Sequence, residues 1–373
     1  MDFSFTEEQQ SLRDTLRAFL QDKYSFESRR ATSMTVVGWR PEIWRALADL
    51  GIVGMTLPKR LGGLEFGPVE VMVAMEEMGR ALMVEPFMET VVVCGGVLAR
   101  GGGKVADDAL LRITAGELII AYAWAEPGSR YDFSRVVTTA VNDGDGWLLN
   151  GHKSVVMAAP WASALLVTAR TSNGVSLFMV DKSTAGISCS DYPTIDGRSA
   201  SDVIFKDVKI SAAALIGAEG KALELIDPVA DAAIAALGAE AVGVMTKLHQ
   251  DTIGYTKQRK QFGQPISNFQ VLQHRMVDMY MEIEMTQSAT YLATLKLSAP
   301  ARERALAAST AKVTMSKACR FVGQNAVQLH GGMGMTDELA VGHYFKRATM
   351  IESDFGSADF HLARHVALSR VGL

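Results

Sequence analysis

QLHGGMGMTDELAVGHYFKRATMIESDFG, residues 328–356, is the stretch whose reading decides the fold. It opens on a Gly-rich turn, Gly331-Gly332-Met333-Gly334, between two segments with helical apolar spacing. Glycines let backbone N–H groups come close to a ligand, and a helix start just beyond favours an anionic group. The same turn also reads as a plain helix C-cap. Its length and its ending, Asp354-Phe355-Gly356, are what the wider sequence has to explain.

Working outward, a chain of 373 residues is too long for one small core and predicts two or three domains. With 48% hydrophobic and 21% charged residues and a net charge of −4, nothing points to nucleic acid or a membrane surface as partner. Cys94, Cys189 and Cys319 are odd in number and far apart, so neither a disulfide framework nor a metal spacing is expected. The opening MDFSFTEEQQSLRDTL lacks an apolar core of signal-peptide type, and a cytoplasmic location is expected.

Thr6 before Glu7, Glu8 and Gln9 is a helix-start pattern, with Leu12, Leu16, Phe19 and Leu20 on one face. Helices are expected over Pro41–Leu50 and Pro68–Met83, in an all-helical region spanning 1–116. From Glu117 the pattern changes to short runs rich in β-branched or aromatic residues. These are Leu118–Trp124, Val136–Val141, Trp147–Asn150, Ala164–Ala169, Val175–Val180 and Ser201–Val208, separated by Gly-containing turns. An antiparallel, barrel-like β-domain over 117–215 follows. Beyond it, 216–373 returns to long alanine-rich helices (Ala230–Arg259, Phe269–Leu297, Ala301–Gln328 and one or two within Ala340–Arg370) expected to pack as a four-helix bundle. The fold class is α+β.

Four motifs in that layout resemble the acyl-CoA dehydrogenase family over essentially the whole chain. They are Ala125-Glu126-Pro127-Gly128 (the family's T-E-P-G), Leu149-Asn150-Gly151-His152-Lys153 (its L-N-G-x-K), Arg259-Lys260-Gln261-Phe262-Gly263 with Phe269-Gln270, and Gln328-Leu329-His330-Gly331-Gly332-Met333-Gly334. The resemblance implies an FAD enzyme that oxidises an acyl-CoA thioester to the 2-enoyl-CoA. A base takes the α-proton while the β-hydride passes to the flavin. It also implies that Arg259, Phe262, Gln328, Gly331 and Gly332 meet the adenine and pyrophosphate end of a neighbouring subunit's FAD. Arginine suits phosphate as a planar donor fork, and phenylalanine offers a flat face.

Elsewhere the chain departs from the family. Positions that hold the flavin ring read Ala125, Val155 and Met157, and the position of a thioester-channel serine reads Tyr131. An arginine that pairs with CoA is Ile234, although Asp231 three residues earlier matches the family and is a candidate substrate contact. The family's catalytic glutamate falls on Phe355, and the alternative location on the first bundle helix is Ala233; neither side chain can accept a proton.

Two carboxylates are candidates for a relocated base. Asp354 adjoins the lost position and reads equally as a cap. Glu240 lies two turns beyond Ala233, roughly ten ångströms along the helix, and reads equally as half of a buried ion pair. The five late histidines show no metal spacing, and no metal is assigned. A chain that keeps what it gives to a neighbour and loses its own chemistry resembles the small subunit of heteromeric acyl-CoA dehydrogenases, such as the pimeloyl-CoA enzyme. Expected partners are an acyl-CoA, an unlike subunit in an α2β2 assembly (or like copies) and an electron-transfer flavoprotein. An active homomer with its base at Glu240 or Asp354, and an FAD-free subunit, stay open.

Overall fold

The computed structural model describes residues 4–35 and 37–370, so the first three residues of the opening segment lie outside it. Two compact units emerge, one bounded by Met1–Ala31, Pro68–Met83 and Ile234–Leu373, the other by Thr32–Gly67 and Val84–Ala233.

The first unit is helical. Helix α1 (Glu7–Lys23) starts where the sequence predicts. Gln9 N–H donates to Thr6 Oγ1 at 3.2 Å and Thr6 N–H to Gln9 Oε1 at 3.1 Å, a reciprocal capping box. Its next turns bury Leu16 and Leu20 and send Arg13 to Glu76 (3.0 Å) and Arg17 to Glu77 (2.6 Å) on helix α4 (Pro68–Arg80). The short α2 (Phe26–Ser33) follows α1, and α3 (Pro41–Asp49) belongs to the other unit.

The long helix α7 (Ala222–Gln258) carries its last 25 residues into this unit. It begins eight residues before the expected Ala230 and runs through Pro228, which forfeits one backbone hydrogen bond. Burial of Ala222, Ile226 and Val229 sustains the helix across that gap. By length and composition α7 could cross a membrane, but 89% of its apolar window is buried in the protein's own fold. Helix α4 crosses it at two glycines. A Cβ on Gly79 would lie 2.3 Å from Glu240 O, and one on Gly243 would lie 2.0 Å from Glu76 O. Only hydrogen fits at either point.

Helices α8 (Gln270–Leu295) and α9 (Ala301–His330) lie within two residues of the expected bounds, and Ala340–Arg370 divides into α10 (Ala340–Ser353) and α11 (Ala358–Arg370). On α9, Ala305, Ala308, Ala311, Ala318 and Ala326 are buried, the small side chains that let helices pack closely.

In the second unit α3, a π-helical segment (Phe87–Gly95) continuing into α5 (Gly96–Gly101), and α6 (Lys104–Thr114) accompany the sheet. The strands are β1 (Ile120–Ala123), β2 (Thr139–Asn142), β3 (Gly146–Met157), β4 (Ala164–Thr171), β5 (Gly174–Asp181), β6 (Ile187–Pro193), β7 (Ser199–Ser211) and β8 (Leu215–Ile216). They follow the order β6-β7-β3-β2-β4-β5-β8, with β1 beside β4.

The pairing is not wholly antiparallel: β1 runs parallel to β4, Ile120 opposite Ala164, and β2 touches β4 in the same sense through Thr139 and Arg170. The β2–β3 hairpin is inserted between β1 and β4, so the chain returns to β1's neighbour by a crossover, which turn signals do not reveal. Both strands are buried on both faces, as parallel pairs usually are. The mostly exposed β6, reading Ile-Ser-Cys-Ser-Asp-Tyr-Pro, escapes an apolar-pattern search altogether.

Candidate functional site

The expected nucleotide-contacting residues gather at one end of the helical unit. Arg259 follows the last turn of α7 and opens a hairpin, β9 (Lys260–Gln261) against β10 (Gln264–Pro265). Phe262 and Gly263 form its tip with φ of +52° and +80°, the signs a tight two-residue hairpin turn needs. Ile266 N–H donates to Arg259 O at 2.9 Å and closes the base. Phe262 is held up at 91% exposure, meeting Phe269 edge-on at 6.1 Å. A buried core residue it is not.

One turn before Arg259, Tyr255 stacks on His330 at 4.3 Å and donates its hydroxyl to His330 O. That contact joins the ends of α7 and α9 and brings Gln328, Gly331 and Gly332 to the hairpin's end of the unit. Gly331 sits at the C-cap of α9 with φ +60°, its N–H donating to Gln328 O, so the C-cap reading of the turn also holds. A Cβ on Gly331 or Gly332 would meet nothing within 4 Å. The protein's own packing therefore does not demand glycine at 332, whereas Gly334 is hemmed in by Val327 O at 2.8 Å. An exposed ring, an exposed guanidinium and an open glycine turn fit the adenine–pyrophosphate half of a dinucleotide.

The turn after α10 is built differently. Asp354 caps the helix, as its alternative reading anticipated, and Phe355 and Gly356 follow with φ of +56° and +124°. His361, 1% exposed on α11, donates from Nε2 to Phe355 O at 2.9 Å and accepts from Ser309 Oγ at Nδ1. Burial pushes His361 down to about 4, so it is neutral in this role. Lys312, fully buried on α9, donates to the carbonyls of Ile351 and Glu352 at the end of α10, and burial lowers it to about 8. Lys312 was not singled out from sequence. The clue was a lone lysine on the alanine face of α9.

Glu240 and Asp354 converge on one cation. Arg347 donates from Nε and Nη2 to Glu240 (2.6 and 2.9 Å) and from Nη1 to Asp354 (3.1 Å). Glu240 is 3% exposed, so its buried ion-pair reading matches the geometry. Glu352 pairs with Arg320.

In the sheet unit, Ser154 N–H donates to Ala125 O at 2.9 Å and ties the end of β1 to β3, so Ala125, Val155 and Met157 belong to one neighbourhood. Val155 has φ +52° beside a bulge between Lys153 and Val156. These three side chains offer no hydrogen-bonding group to a flavin ring, so the ring half of the cofactor is not fitted here as the nucleotide half is.

Beneath them Lys153, 0% exposed, donates to Glu126 (2.6 Å), Thr168 (2.8 Å) and Trp124 O (3.3 Å). Burial brings Lys153 down to about 8 against the pull of Glu126. Burial would raise Glu126, but Lys153 and the N–H groups of Val137 and Thr138 outweigh it and hold the carboxyl below its usual range. Asp231 is buried on α7, in the sheet unit.

Comparison with known proteins places this geometry. Family models for the acyl-CoA dehydrogenase N-terminal, middle and C-terminal domains match residues 6–117, 121–208 and 233–366. The chain is 28% identical to acryloyl-CoA reductase (NADH) of Anaerotignum propionicum, covering 98% of this chain and 96% of that one. It is 30% identical to the caffeyl-CoA reductase–Etf complex subunit CarC of Acetobacterium woodii, covering 82% and 83%. Among solved structures, the ChsE4–ChsE5 complex of Mycobacterium tuberculosis superposes with a TM-score of 0.90 at 26% identity, covering the whole of both chains. Members of this family are FAD flavoproteins and oxidoreductases. With all three domain models in order along its length, the chain belongs to the acyl-CoA dehydrogenase family.

Proposed function

We propose that this chain is the non-catalytic subunit of a heteromeric acyl-CoA dehydrogenase, holding the nucleotide end of FAD for an unlike partner that carries the base. The observation that carries the reading is the contrast between its two ends. Arg259, Phe262 and the Gly331-Gly332 turn stand open at one surface, while the family's base position is Phe355 on a backbone pinned by His361. The relative named as a subunit of an Etf complex and the solved ChsE4–ChsE5 pair support partnership with an electron-transfer flavoprotein or a second family chain.

In this role Arg259 would meet the pyrophosphate and Phe262 would offer its ring to the adenine. The Gly331-Gly332 backbone approaches the phosphates without a Cβ in the way. FAD, when bound, would supply the acceptor for the hydride leaving the acyl β-carbon. The α-proton goes to the partner's carboxylate, since Glu240 and Asp354 are both engaged by Arg347 and a base at either would have to give up that cation. The domain division at 1–116, 117–215 and 216–373 and a cytoplasmic setting belong to the same proposal.

The test is visible absorbance in the flavin bands. The chain co-purified with a glutamate-bearing family partner should hold FAD and bleach with an acyl-CoA, whereas the chain alone should do neither. Stoichiometric FAD on the isolated chain, reduced by an acyl-CoA, would overturn the proposal and favour a relocated base. A colourless, FAD-free assembly would favour a purely structural subunit.

A further inference from the structure

A cavity of about 280 Å³ lies inside the helical unit, where α1, α2, α4, α7 and α10 converge. Every residue that lines it belongs to that unit. None of them is among the nucleotide-contacting residues at Arg259, Phe262 and the Gly331-Gly332 turn. Its size is at the lower edge of small-molecule sites, enough for one compact ligand.

The walls are cationic. Arg17, Arg29, Arg80 and Lys247 line the cavity against only Glu77 and Asp251, four positive charges less two negative, a net charge of +2. Both carboxylates are engaged: Glu77 accepts a forked contact from Arg17 at 2.6 and 3.0 Å, and Asp251 pairs with Lys247. Arg80 comes no nearer than 4.0 Å to Glu77 and donates to Gln250 Oε1 at 3.1 Å.

Arg29, 2% exposed, is the buried residue of an otherwise polar α2. It donates from Nε to Leu82 O at 2.8 Å and from Nη1 to His343 Nδ1 at 3.3 Å. His343 donates from Nε2 to Asp337 O at 3.2 Å, the neutral tautomer that leaves Nδ1 as acceptor. Neutral acceptors satisfy a guanidinium's hydrogens without cancelling its charge, so a bound anion lowers the cost of burying it. Beside these cations stand the rings of Tyr24, Phe26 and Tyr344, the last with its hydroxyl already donating to Arg80 O.

We propose that this cavity binds a small organic anion, a carboxylate or phosphate monoester on a flat apolar body. The cationic side chains take the head group and the rings take the body. Such a ligand touches five helices of one unit at once, so its binding also raises the chain's thermal midpoint.

Benzoate and phenyl phosphate serve as probes. Benzamide is the uncharged counterpart of the first, and inorganic phosphate the bare head group of the second. Binding to the full chain is measured by isothermal titration calorimetry at neutral pH and fixed ionic strength, with thermal unfolding alongside. The expected result is that benzoate, phenyl phosphate or both bind, and that each binder's control is weaker by about tenfold or more. Arg80→Gln and Lys247→Gln, at partly exposed positions, should each raise the Kd by about tenfold. Lys104→Gln, on the surface of the other unit, should leave it unchanged. Arg29→Met tests the buried cation, and the two partly exposed positions decide the matter if that variant does not fold.

Benzamide binding as tightly as benzoate would overturn the proposal, as would inorganic phosphate binding as tightly as phenyl phosphate. So would the failure of both anions to bind, or binding that Arg80→Gln and Lys247→Gln leave unchanged. No flavin or acyl-CoA enters the experiment, so its outcome is independent of the shared-cofactor reading.

Discussion

The imidazole of His361 donates from Nε2 to the backbone carbonyl of Phe355 at 2.9 Å. A buried histidine from α11 thus holds Phe355 in a left-handed conformation unusual for phenylalanine. The contact is to the main chain, so it serves the turn whatever side chain occupies 355.

A pH dependence follows from that bond. Burial depresses His361 from 6.5 to about 4, so between those values the unfolded chain binds more protons than the folded one. Stability is then complete above about pH 6.5 and falls as the pH drops toward 4, by about 3 kcal/mol from this group. Urea unfolding from pH 7 to 4.5 should show the fall, and His361→Gln should flatten the part of the slope that this residue supplies.

Arg347 is the centre of the buried charge cluster. Arg347→Met removes the guanidinium contacts of Glu240 and Asp354, and should cost about 3–5 kcal/mol. Glu240→Leu combined with Arg347→Met should recover most of that loss. Thermal unfolding of the three chains decides it; equal losses in the single and double variants would mean the pair is not coupled.

Phe262 and Gly332 separate binding from stability. Both lie outside the core, so Phe262→Ala and Gly332→Ala should leave the melting of the isolated chain within about 0.5 kcal/mol of wild type. Both should lower the flavin content of the assembled complex, measured by absorbance. Gly331→Ala differs, since φ +60° makes it cost about 1 kcal/mol or more by itself.

On the proposed two-subunit reading, a carboxylate placed at 355 is not expected to give the isolated chain activity. Phe355→Glu on the isolated chain should give no acyl-CoA-dependent bleaching, because on the proposed reading the ring side of the site, at Ala125, Val155 and Met157, has no hydrogen-bonding side chain. Turnover by that variant alone would mean that Ala125, Val155 and Met157 do not prevent turnover.

Much of this was legible before any coordinates. Thr6 announced its capping box, the helix bounds fell within a few residues except on α7, and the motif spacing carried the family. What stayed hidden has physical causes. The expected start of α7 at Ala230 fell eight residues late, because local propensity cannot see the burial of Ile226 and Val229 that carries the helix through Pro228. The parallel β1–β4 pair depends on a crossover that period-two patterns do not encode. Lys312 and His361 act on main-chain carbonyls, and a backbone acceptor has no residue type to search for. Glu240 was readable as a buried acid, but its partner, 107 positions away, was not.

The crossing of α4 and α7 at Gly79 and Gly243 has an evolutionary corollary. Where two backbones meet with room only for hydrogen, substitution is barred on steric grounds, irrespective of what the protein catalyses. Exposed positions such as Phe262 carry no such steric bar. In a lineage of such chains, the helix crossing should be the slow clock and such exposed positions the fast one.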